Sequence, residues 1–521
     1  MTQPPELTLP ALLHARSALG DKDLLVCDDE RLGYGEALAR SAELAARLVA
    51  LGAGRGSHVG LLYPNGADFV VGLFAAARIG AVVVPFSTFS TAPELLGQLV
   101  DGDVSVLLAA RSYRSHDYVQ RLTEALGEAL PEHGPIWSPA APVLRHIVFT
   151  GDGPGPRAPD HAAVAALEAD VDGCDVLAVI YTSGSTSAPK GVVHTHEALL
   201  GHQHNLNAIR RLGPDDRLFC NSPFFWIGGF AFGLLATVTA GATLICSSAT
   251  DPARTLDLLE AEKPTVTNGF AGGIAHLARD PSFAGRDLSS MRRGNLYPIM
   301  APDSRPADPE LRHNMLGMTE AGSVVLLSGD ESDQPESRRG SFGYPAPGFE
   351  TRVVDPDSGA DAAGGELLIR GRYLMQGYHG RPREDCFDAD GWFHTGDLVR
   401  RDAEGLFYFL GRAGSMIKTA GANVAPAEVE KALTEVCAAL GVEATVHVLG
   451  LPDPERGQLV AAVIATEGGE PIDAQRLRGE LGARLSSYKI PRRFTTIRRA
   501  ALPMRSSGKI DLPALQGLFD G

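Results

Sequence analysis

The sequence predicts an α/β fold, in which a large N-terminal domain of parallel α/β sheets carries a β-rich subdomain and is followed by a small α+β domain. Apolar runs of strand length alternate with helix-like periods as far as residue 246, as is typical of parallel sheets covered by helices. From residue 340 to 411 the spacing shortens into hairpin-like pieces. A compact stretch of about 110 residues then follows, a normal size for a small domain. We therefore expect two domains, residues 1–411 and 412–521.

The individual elements can be placed from the periodicity of apolar residues. Five short apolar runs have the length and composition of buried strands, namely residues 57–62, 81–85, 104–108, 176–180 and 243–246. Two segments, residues 36–51 and 68–79, have the spacing of helices that bury one face. In the β-rich part, residues 366–370 form the clearest hairpin strand.

Charge and cysteine content exclude several classes of protein. The chain has 521 residues and a net charge of −16 without a basic stripe, so nucleic acid is not an expected partner. Its six cysteines form no CxxC pair, which argues against a disulfide framework or a zinc site. Four neighbouring histidines lack the spacing of metal ligands, and we expect them to be solvated or to cap helices. They are His194, His196, His202 and His204.

The N-terminus and the longest apolar stretch predict a cytoplasmic protein. The first residues lack the basic segment followed by an apolar one that marks a secretory signal. The richest apolar stretch, residues 69–86, contains Arg78 and two glycines, so no membrane span is expected. The sequence leaves the oligomeric state open between monomer and homodimer.

Residues 181–191 have the composition of a phosphate-binding loop. They leave an apolar strand, and Gly184 lets the backbone turn tightly, so that hydroxyl and amide groups can converge on one anion. Lys190 adds a point charge suited to a phosphate. The Walker pattern does not fit, because Pro189 precedes the lysine and Gly191 follows it in place of Ser or Thr. The hydroxyl side chains are Thr182, Ser183, Ser185 and Thr186.

Several further motifs stand in a fixed order around this loop. They are residues 61–65, 79–85, 316–320, 391–397, 411–412, 417–430 and 502–510. The ordered set resembles the adenylate-forming superfamily of acyl-CoA synthetases, adenylation domains of peptide synthetases and luciferases. The resemblance spans nearly the whole chain, and it implies that the small C-terminal domain is mobile.

The resemblance implies a first half-reaction in which Mg-ATP activates an acid to an adenylate. The loop would hold the β- and γ-phosphates, Glu320 would bind Mg²⁺, and Thr319 would hydrogen-bond the α-phosphate. Asp397 would accept the ribose hydroxyls with support from Arg412, and Lys509 would bridge the carboxylate and the α-phosphate. The implied catalytic residues are Lys509, Thr182, Glu320 and Lys190. The implied ATP site consists of Thr182, Ser183, Gly184, Ser185, Thr186, Lys190, Leu316, Gly317, Met318, Thr319, Asp397, Arg412 and Lys509.

The resemblance also implies a second half-reaction that transfers the acyl group to CoA. Lys418 and Gly421 match the face of the C-terminal domain along which small residues let a pantetheine arm pass. The alternative is a purely structural role, in which this segment is a loop that enters a helix with Pro426 in its first turn. An apolar pocket for an acyl or aryl acid would be lined by Phe225, Trp226, Gly228, Phe230, Asn295, Leu316 and Ser323.

The chain departs from the family pattern at several positions. Leu316 stands where many relatives carry an aromatic residue, and Trp226 stands where many acyl-CoA synthetases have histidine. Residues 292–298 replace a glycine-alanine-proline segment, which leaves the identity of the acid open. Ser187 replaces a loop glycine, and Ser415 replaces the hinge aspartate.

The favoured hypothesis is an AMP-forming acyl-CoA or aryl-CoA synthetase that uses ATP, Mg²⁺ and CoA. A first alternative keeps the adenylation but changes the acceptor, as in a ligase that loads a carrier protein or a diazotase that activates nitrite for an arylamine. A second alternative is a nucleotide-binding homologue that has lost turnover. The presence of Lys509, Glu320, Asp397 and Arg412 argues against it.

Overall fold

The computed structural model forms two compact units. It describes residues 7–131, 134–152, 160–182, 190–269, 271–412, 417–419, 422–424, 426–453, 456–482, 484–485, 489–505 and 510–519, with the backbone alone at 271–273, 275, 412, 418, 422–423 and 428. The first unit comprises residues 7–182, 190–350 and 370–392. The second comprises residues 351–369 and the described residues from 393 onwards.

The strands and helices of the described residues alternate over most of the first unit. The strands are β1 (Asp23–Cys27), β2 (Glu30–Gly33), β3 (His58–Leu62), β4 (Val82–Pro85), β5 (Val104–Ala109), β6 (Ser112–Tyr113), β7 (His116–Asp117), β8 (His146–Phe149), β9 (Val176–Thr182), β10 (Lys190–Thr195), β11 (Arg217–Cys220), β12 (Thr243–Cys246), β13 (Val266–Asn268), β14 (Arg293–Gly294), β15 (Leu316–Met318), β16 (Ser323–Leu327), β17 (Tyr344–Pro345), β18 (Phe349–Val354), β19 (Gly364–Gly371), β20 (Gly377–Tyr378), β21 (Phe393–Arg401), β22 (Phe407–Arg412), β23 (Ile417–Thr419), β24 (Ala422–Val424), β25 (Ala444–Asp453), β26 (Gly457–Thr466) and β27 (Arg493–Arg498). The helices are α1 (Leu9–Ser17), α2 (Tyr34–Ala50), α3 (Ala67–Arg78), α4 (Ala92–Asp101), α5 (Tyr118–Leu126), α6 (His161–Ala169), α7 (His196–Arg210), α8 (Ala236–Ala240), α9 (Pro252–Glu262), α10 (Ala271–Arg279), α11 (Pro426–Ala439), α12 (Ala474–Gly482) and α13 (Leu512–Gly517).

Two large sheets organise the first unit. One has the strand order β20-β10-β9-β4-β3-β5-β8 and is parallel except at β10 and β20. The other has the order β14-β13-β11-β12-β1-β2 and is parallel except at β2. Two small antiparallel sheets, β15-β16-β17 and β6-β7, also belong to this unit. The predicted α/β class with parallel sheets is confirmed.

Helix α3 lies between the two large sheets. It contacts β2 of one sheet and β3 and β4 of the other, and every residue from Ala67 to Arg78 is buried except half-buried Asp68. An apolar helix of this kind is expected only where both sides are covered. The charge of Arg78 at the end of the helix is paired, since its Nη2 donates to Glu168 Oε2 at 3.1 Å. One hydrophobic core therefore joins α3 to residues of both sheets.

The second unit contains a four-stranded sheet, β18-β19-β21-β22, and a five-stranded sheet. In the latter, β24-β23-β26-β25 form the main path and β27 pairs with β26. Helices α11 and α12 contribute Val429, Leu433 and Leu477 to its core. The strands of this sheet are antiparallel except at β27, and their mixture with helices matches the expected α+β character of the C-terminal part.

Within the described residues, no helix is both long enough and apolar enough to cross a bilayer. All six cysteines are free.

Candidate functional site

The carboxyl ends of the two parallel sheets meet at one place in the first unit. Asn65, which follows β3, donates from Nδ2 to the carbonyl of Ser222 at 3.0 Å and accepts at Oδ1 from the amide of Phe224 at 2.8 Å. Ser222 and Phe224 follow β11 of the other sheet. In open α/β sheets, ligands bind in the crevice outside the carboxyl ends of the strands. This junction is therefore the expected place for a substrate.

An aromatic trio of Phe89, Phe225 and Trp226 crosses the same junction. Phe89 follows β4, and its ring centroid lies 5.7 Å from that of Phe225 and 6.4 Å from that of Trp226. The Phe225 and Trp226 rings are 5.3 Å apart at a steep angle. Phe225 is buried, whereas Phe89 and Trp226 are half-buried. The trio thus presents apolar aromatic surface at the junction, and two of its three ring pairs are edge-to-face.

Three other residues predicted for the acid pocket have clear structural partners. Phe230 is fully buried, and its ring packs on Phe69 with centroids 6.3 Å apart. Asn295 binds the backbone of Gly269 twice, accepting from its amide at 3.2 Å and donating to its carbonyl at 3.0 Å. Ser323 is buried and accepts from Gln203 Nε2 at 3.1 Å. Their assignment to the pocket stays a prediction, and Leu316 lies buried at the start of β15.

The chain turns sharply after Trp226 into a π-helix, Gly228–Leu235. A Cβ added to Gly229 would lie 2.1 Å from the carbonyl oxygen of Pro223, which is backbone and cannot rotate away. A Cβ added to Gly228 would have Ser222 Oγ, at 3.9 Å, as its nearest neighbour outside the adjoining chain. Of these two glycines, only Gly229 is therefore required, because the backbone of Pro223 lies too close for a side chain.

Gly229→Ala should destabilise the first unit by about 2 kcal/mol or more, because the loop after β11 must move to admit the methyl group. Urea unfolding followed by circular dichroism measures this change. The matched variant Gly228→Ala should keep the wild-type free energy of unfolding within about 0.5 kcal/mol. Equal destabilisation by both variants would contradict the packing described here.

The predicted phosphate loop connects the two strands of an antiparallel hairpin. Thr182 ends β9, Lys190 begins β10, and the two are paired across the ladder. Tyr181 donates to Asp101 Oδ2 at 2.6 Å, and this hydrogen bond fixes the end of strand β9. Ser183, Gly184, Ser185, Thr186 and the departure Ser187 lie outside the described residues.

Glu320 lies in a short turn between β15 and β16, beside a tyrosine that sequence reasoning did not single out. Tyr378 Oη donates to Glu320 Oε1 at 2.8 Å, and Lys190 Nζ stands 4.9 Å from the centre of the Tyr378 ring. Burial, followed by the nearby charge of Glu320, raises the pKa of Tyr378 well above its usual value, so it remains a donor. The structure thus brings together Glu320 and Lys190, two of the predicted site residues.

Glu320 fits the donor chemistry of Mg²⁺. This hard cation prefers carboxylate oxygen and is commonly held by one or two carboxylates together with substrate phosphates. Among the described residues, no group of three or more His, Cys, Asp or Glu could hold a metal alone. A magnesium ion here would therefore be shared between Glu320 and the phosphates of a nucleotide.

Two buried histidines, His194 and His202, bind the backbone in and just after the turn that carries Thr319 and Glu320. His194 Nε2 donates to the carbonyl of Thr319 at 2.7 Å, and His202 Nε2 donates to the carbonyl of Val324 at 2.9 Å. Burial lowers the pKa of His194 to about 4 and that of His202 to about 3, so both are neutral. The expectation that these two are solvated or capping is wrong, because strand β10 and helix α7 face the core here.

His196 is also buried, but it does cap a helix. Its Nδ1 accepts from the amide of Leu9, the first residue of α1, at 3.1 Å. Burial lowers the pKa of His196 to about 4. His194, His196 and His202 therefore act as neutral hydrogen-bonding groups within the first unit.

In the second unit, Asp397 and Arg412 occupy facing positions on neighbouring strands. They are paired in the ladder between β21 and β22. Asp397 is buried, and its amide donates to Thr395 Oγ1 at 3.0 Å. Gly396, which lies between Thr395 and Asp397, has φ = +69°, a backbone conformation that glycine adopts without strain. Lys418 lies in β23, whereas Gly421, Ser415 and Lys509 lie outside the described residues.

Comparison with known proteins agrees with this arrangement. The model of the AMP-binding enzyme family matches residues 14–379, and that of the AMP-binding enzyme C-terminal domain matches residues 428–509. A feruloyl-CoA synthase of Amycolatopsis sp is 34% identical over 492 residues, covering 92% of each chain. A long-chain-fatty-acid–CoA ligase of Mycobacterium tuberculosis is 30% identical over 503 residues, also covering 92% of each chain.

A solved structure supports the fold. The crystal structure of the anthranilate CoA ligase AuaEII in complex with anthranoyl-AMP superposes with a TM-score of 0.77 at 22% identity, covering 99% of this chain and 98% of that one. The ordered motifs, the two-unit architecture and the family models agree. The chain therefore belongs to the AMP-binding enzyme family of the adenylate-forming superfamily, and it is an AMP-forming acid–CoA ligase.

Proposed function

We propose that this protein is an aryl-CoA ligase, which activates an aromatic carboxylic acid with Mg-ATP and transfers the acyl group to CoA. The observation that carries the proposal is the trio of Phe89, Phe225 and Trp226 at the junction of the two sheets. Aromatic pairs prefer edge-to-face contacts, and such contacts favour an aromatic over an aliphatic ligand of the same size. The feruloyl-CoA synthase among the relatives is named for an aromatic acid, which supports the same choice.

In the first step, a carboxylate oxygen of the acid attacks the α-phosphorus of ATP. The bond from that phosphorus to the bridging oxygen breaks, and pyrophosphate leaves. Glu320 would hold the magnesium ion, which neutralises charge on the phosphates, and Lys190 would bind a phosphate oxygen next to it. Thr319 would donate to the α-phosphate, and Thr182 with the loop after it would hold the β- and γ-phosphates.

The C-terminal domain, which we place at 412–521, would contribute to both steps. Its Lys509 would serve adenylation, and its Arg412 would bind the ribose together with Asp397, which precedes the domain. Lys418 and Gly421 would then lie along the path of CoA. The CoA sulfur attacks the acyl carbonyl carbon, the bond to the phosphate oxygen breaks, AMP leaves, and the thiol proton passes to solvent.

The test uses pairs of acids that match in length and differ in ring type. With 3-phenylpropanoate against 3-cyclohexylpropanoate, we expect kcat/KM for thioester formation to favour the aromatic acid by about fivefold. Trp226→Leu should remove most of this preference, while the control Trp137→Leu, at an exposed site, should keep it. Formation of AMP and thioester is followed by mass spectrometry.

The alternatives give different outcomes in the same assay. A preference for the cyclohexyl acid, or none, would contradict the aryl assignment and leave an aliphatic acid as the substrate. If AMP forms without CoA when a carrier protein, or nitrite and an arylamine, is supplied, the acceptor is that compound and not CoA. Failure to form AMP with any acid would contradict the ligase itself.

A further inference from the structure

Tyr378 stands between the two charged residues that the proposed reaction places on the metal and the phosphates. Its hydroxyl donates to Glu320 Oε1 at 2.8 Å, and the face of its ring lies 4.9 Å from Lys190 Nζ. The Glu320 carboxylate and the Lys190 ammonium therefore contact two different parts of the Tyr378 side chain, its hydroxyl and its ring face. Tyr378 itself is half-buried, so its own position is constrained.

The backbone around Tyr378 is fixed to the same two segments. The amide of Gln376 donates to the carbonyl of Val193 at 2.9 Å, and the amide of His379 donates to that of Gly191 at 2.7 Å, both on β10. The amide of Met375 donates to the carbonyl of Glu320 at 2.9 Å. Strand β20 therefore ties the turn of Glu320 to the strand that begins with Lys190.

We infer that Tyr378 is a positioning residue for the metal–nucleotide site, a role that rests on the proposed function. Its hydroxyl fixes one oxygen of Glu320, and because a carboxylate is planar, this also sets the direction of the other oxygen. Its ring face attracts the Lys190 ammonium by a cation–π contact. This contact holds the ammonium beside the carboxylate without a direct ion pair, so that both groups can meet the phosphates and the metal.

The test compares Tyr378→Phe with Tyr344→Phe, an exposed tyrosine on β17 that serves as the matched control. Tyr378→Phe keeps the ring over Lys190 and removes only the hydrogen bond to Glu320. Binding of Mn²⁺ in the presence of ATP and without acid is measured by electron paramagnetic resonance of the free ion. A hydrogen bond to a charged group is strong enough that we expect the Kd for Mn²⁺ to rise about tenfold.

Steady-state kinetics supply the second readout. The half-saturating Mg²⁺ concentration for adenylate formation should rise by the same factor, about tenfold, while kcat at saturating Mg²⁺ stays within about threefold of wild type. Tyr378→Leu also removes the ring, so it should further raise the KM for ATP, about threefold. Tyr344→Phe should behave as wild type in every measurement.

Unchanged Mn²⁺ binding in both Tyr378 variants would overturn the inference, as would a fall in kcat with unchanged metal dependence. Measurements are made at a temperature at which the circular dichroism of each variant matches that of wild type, so a folding defect is not mistaken for a metal effect. The inference and the proposed function fail separately. A wild-type protein that binds Mn²⁺ and ATP but forms no thioester contradicts the ligase, and the binding comparison still decides the role of Tyr378.

Discussion

Glu320→Gln should lower the rate of adenylate formation by about a thousandfold at a magnesium concentration that saturates wild type. The substitution keeps the size of the side chain and an oxygen that can accept from Tyr378, but it removes the negative charge that we propose binds the cation. Since the proposed chemistry depends on charge neutralisation at the phosphates, loss of a metal ligand costs far more than loss of an ordinary hydrogen bond. The rate is measured by single-turnover formation of the adenylate.

The control for this variant is Glu384→Gln, an exposed glutamate of the same unit. It should retain the wild-type rate and the wild-type dependence on Mg²⁺. A Glu320→Gln protein that keeps more than a tenth of the wild-type rate, with unchanged magnesium dependence, would show that Glu320 is not the metal ligand.

Acidification from pH 6.5 to pH 4 should destabilise the first unit by several kcal/mol, because it contains three buried neutral histidines. Burial lowers the pKa of His194 and of His196 to about 4 and the pKa of His202 to about 3, against an ordinary pKa of 6.5. Between these values the unfolded chain binds protons that the folded chain does not. The free energy of unfolding therefore falls as the pH falls, with a slope of up to about 1.4 kcal/mol per pH unit for each histidine.

Urea unfolding at a series of pH values measures this slope. His202→Gln keeps a donor for the carbonyl of Val324 and removes one titrating group, so the slope between pH 4 and 6.5 should decrease. His276→Gln, at an exposed histidine, should leave the slope as in wild type. Identical slopes for wild type and His202→Gln would contradict a neutral, buried imidazole at this position.

Five strands of the two large sheets could be predicted because each coincides with an apolar run, whereas β1, β8 and β11 of the same sheets were not predicted. The predicted run 57–62 corresponds to β3, and 176–180 to β9, with ends that differ by at most two residues. The two predicted helices correspond to α2 and α3. Short strands gave no comparable signal, since β13 has three residues and β20 has two.

The site was harder to predict where contacts join distant parts of the chain. Asp397 and Arg412 were linked by a family resemblance, and the ladder between β21 and β22 places them opposite one another. Tyr378 had no signal, because its role follows from pairing between β20 and β10 and from a hydrogen bond to Glu320, 58 residues away. Phe89 was missed for the same reason, since its partners follow a strand of the other sheet.

The aromatic trio and Glu320 are carried by separate parts of the chain. Phe89, Phe225 and Trp226 come from the loops after β4 and β11, whereas Glu320 comes from the turn after β15. Under the proposed assignment, substitutions that change the accepted acid can accumulate in these two loops while the turn of Glu320, bound by His194 and by the segment around β20, stays as it is. An enzyme built in this way can acquire new substrates by variation at a few loop positions, and we expect the loops after β4 and β11 to be the segments to randomise when a different acid is wanted.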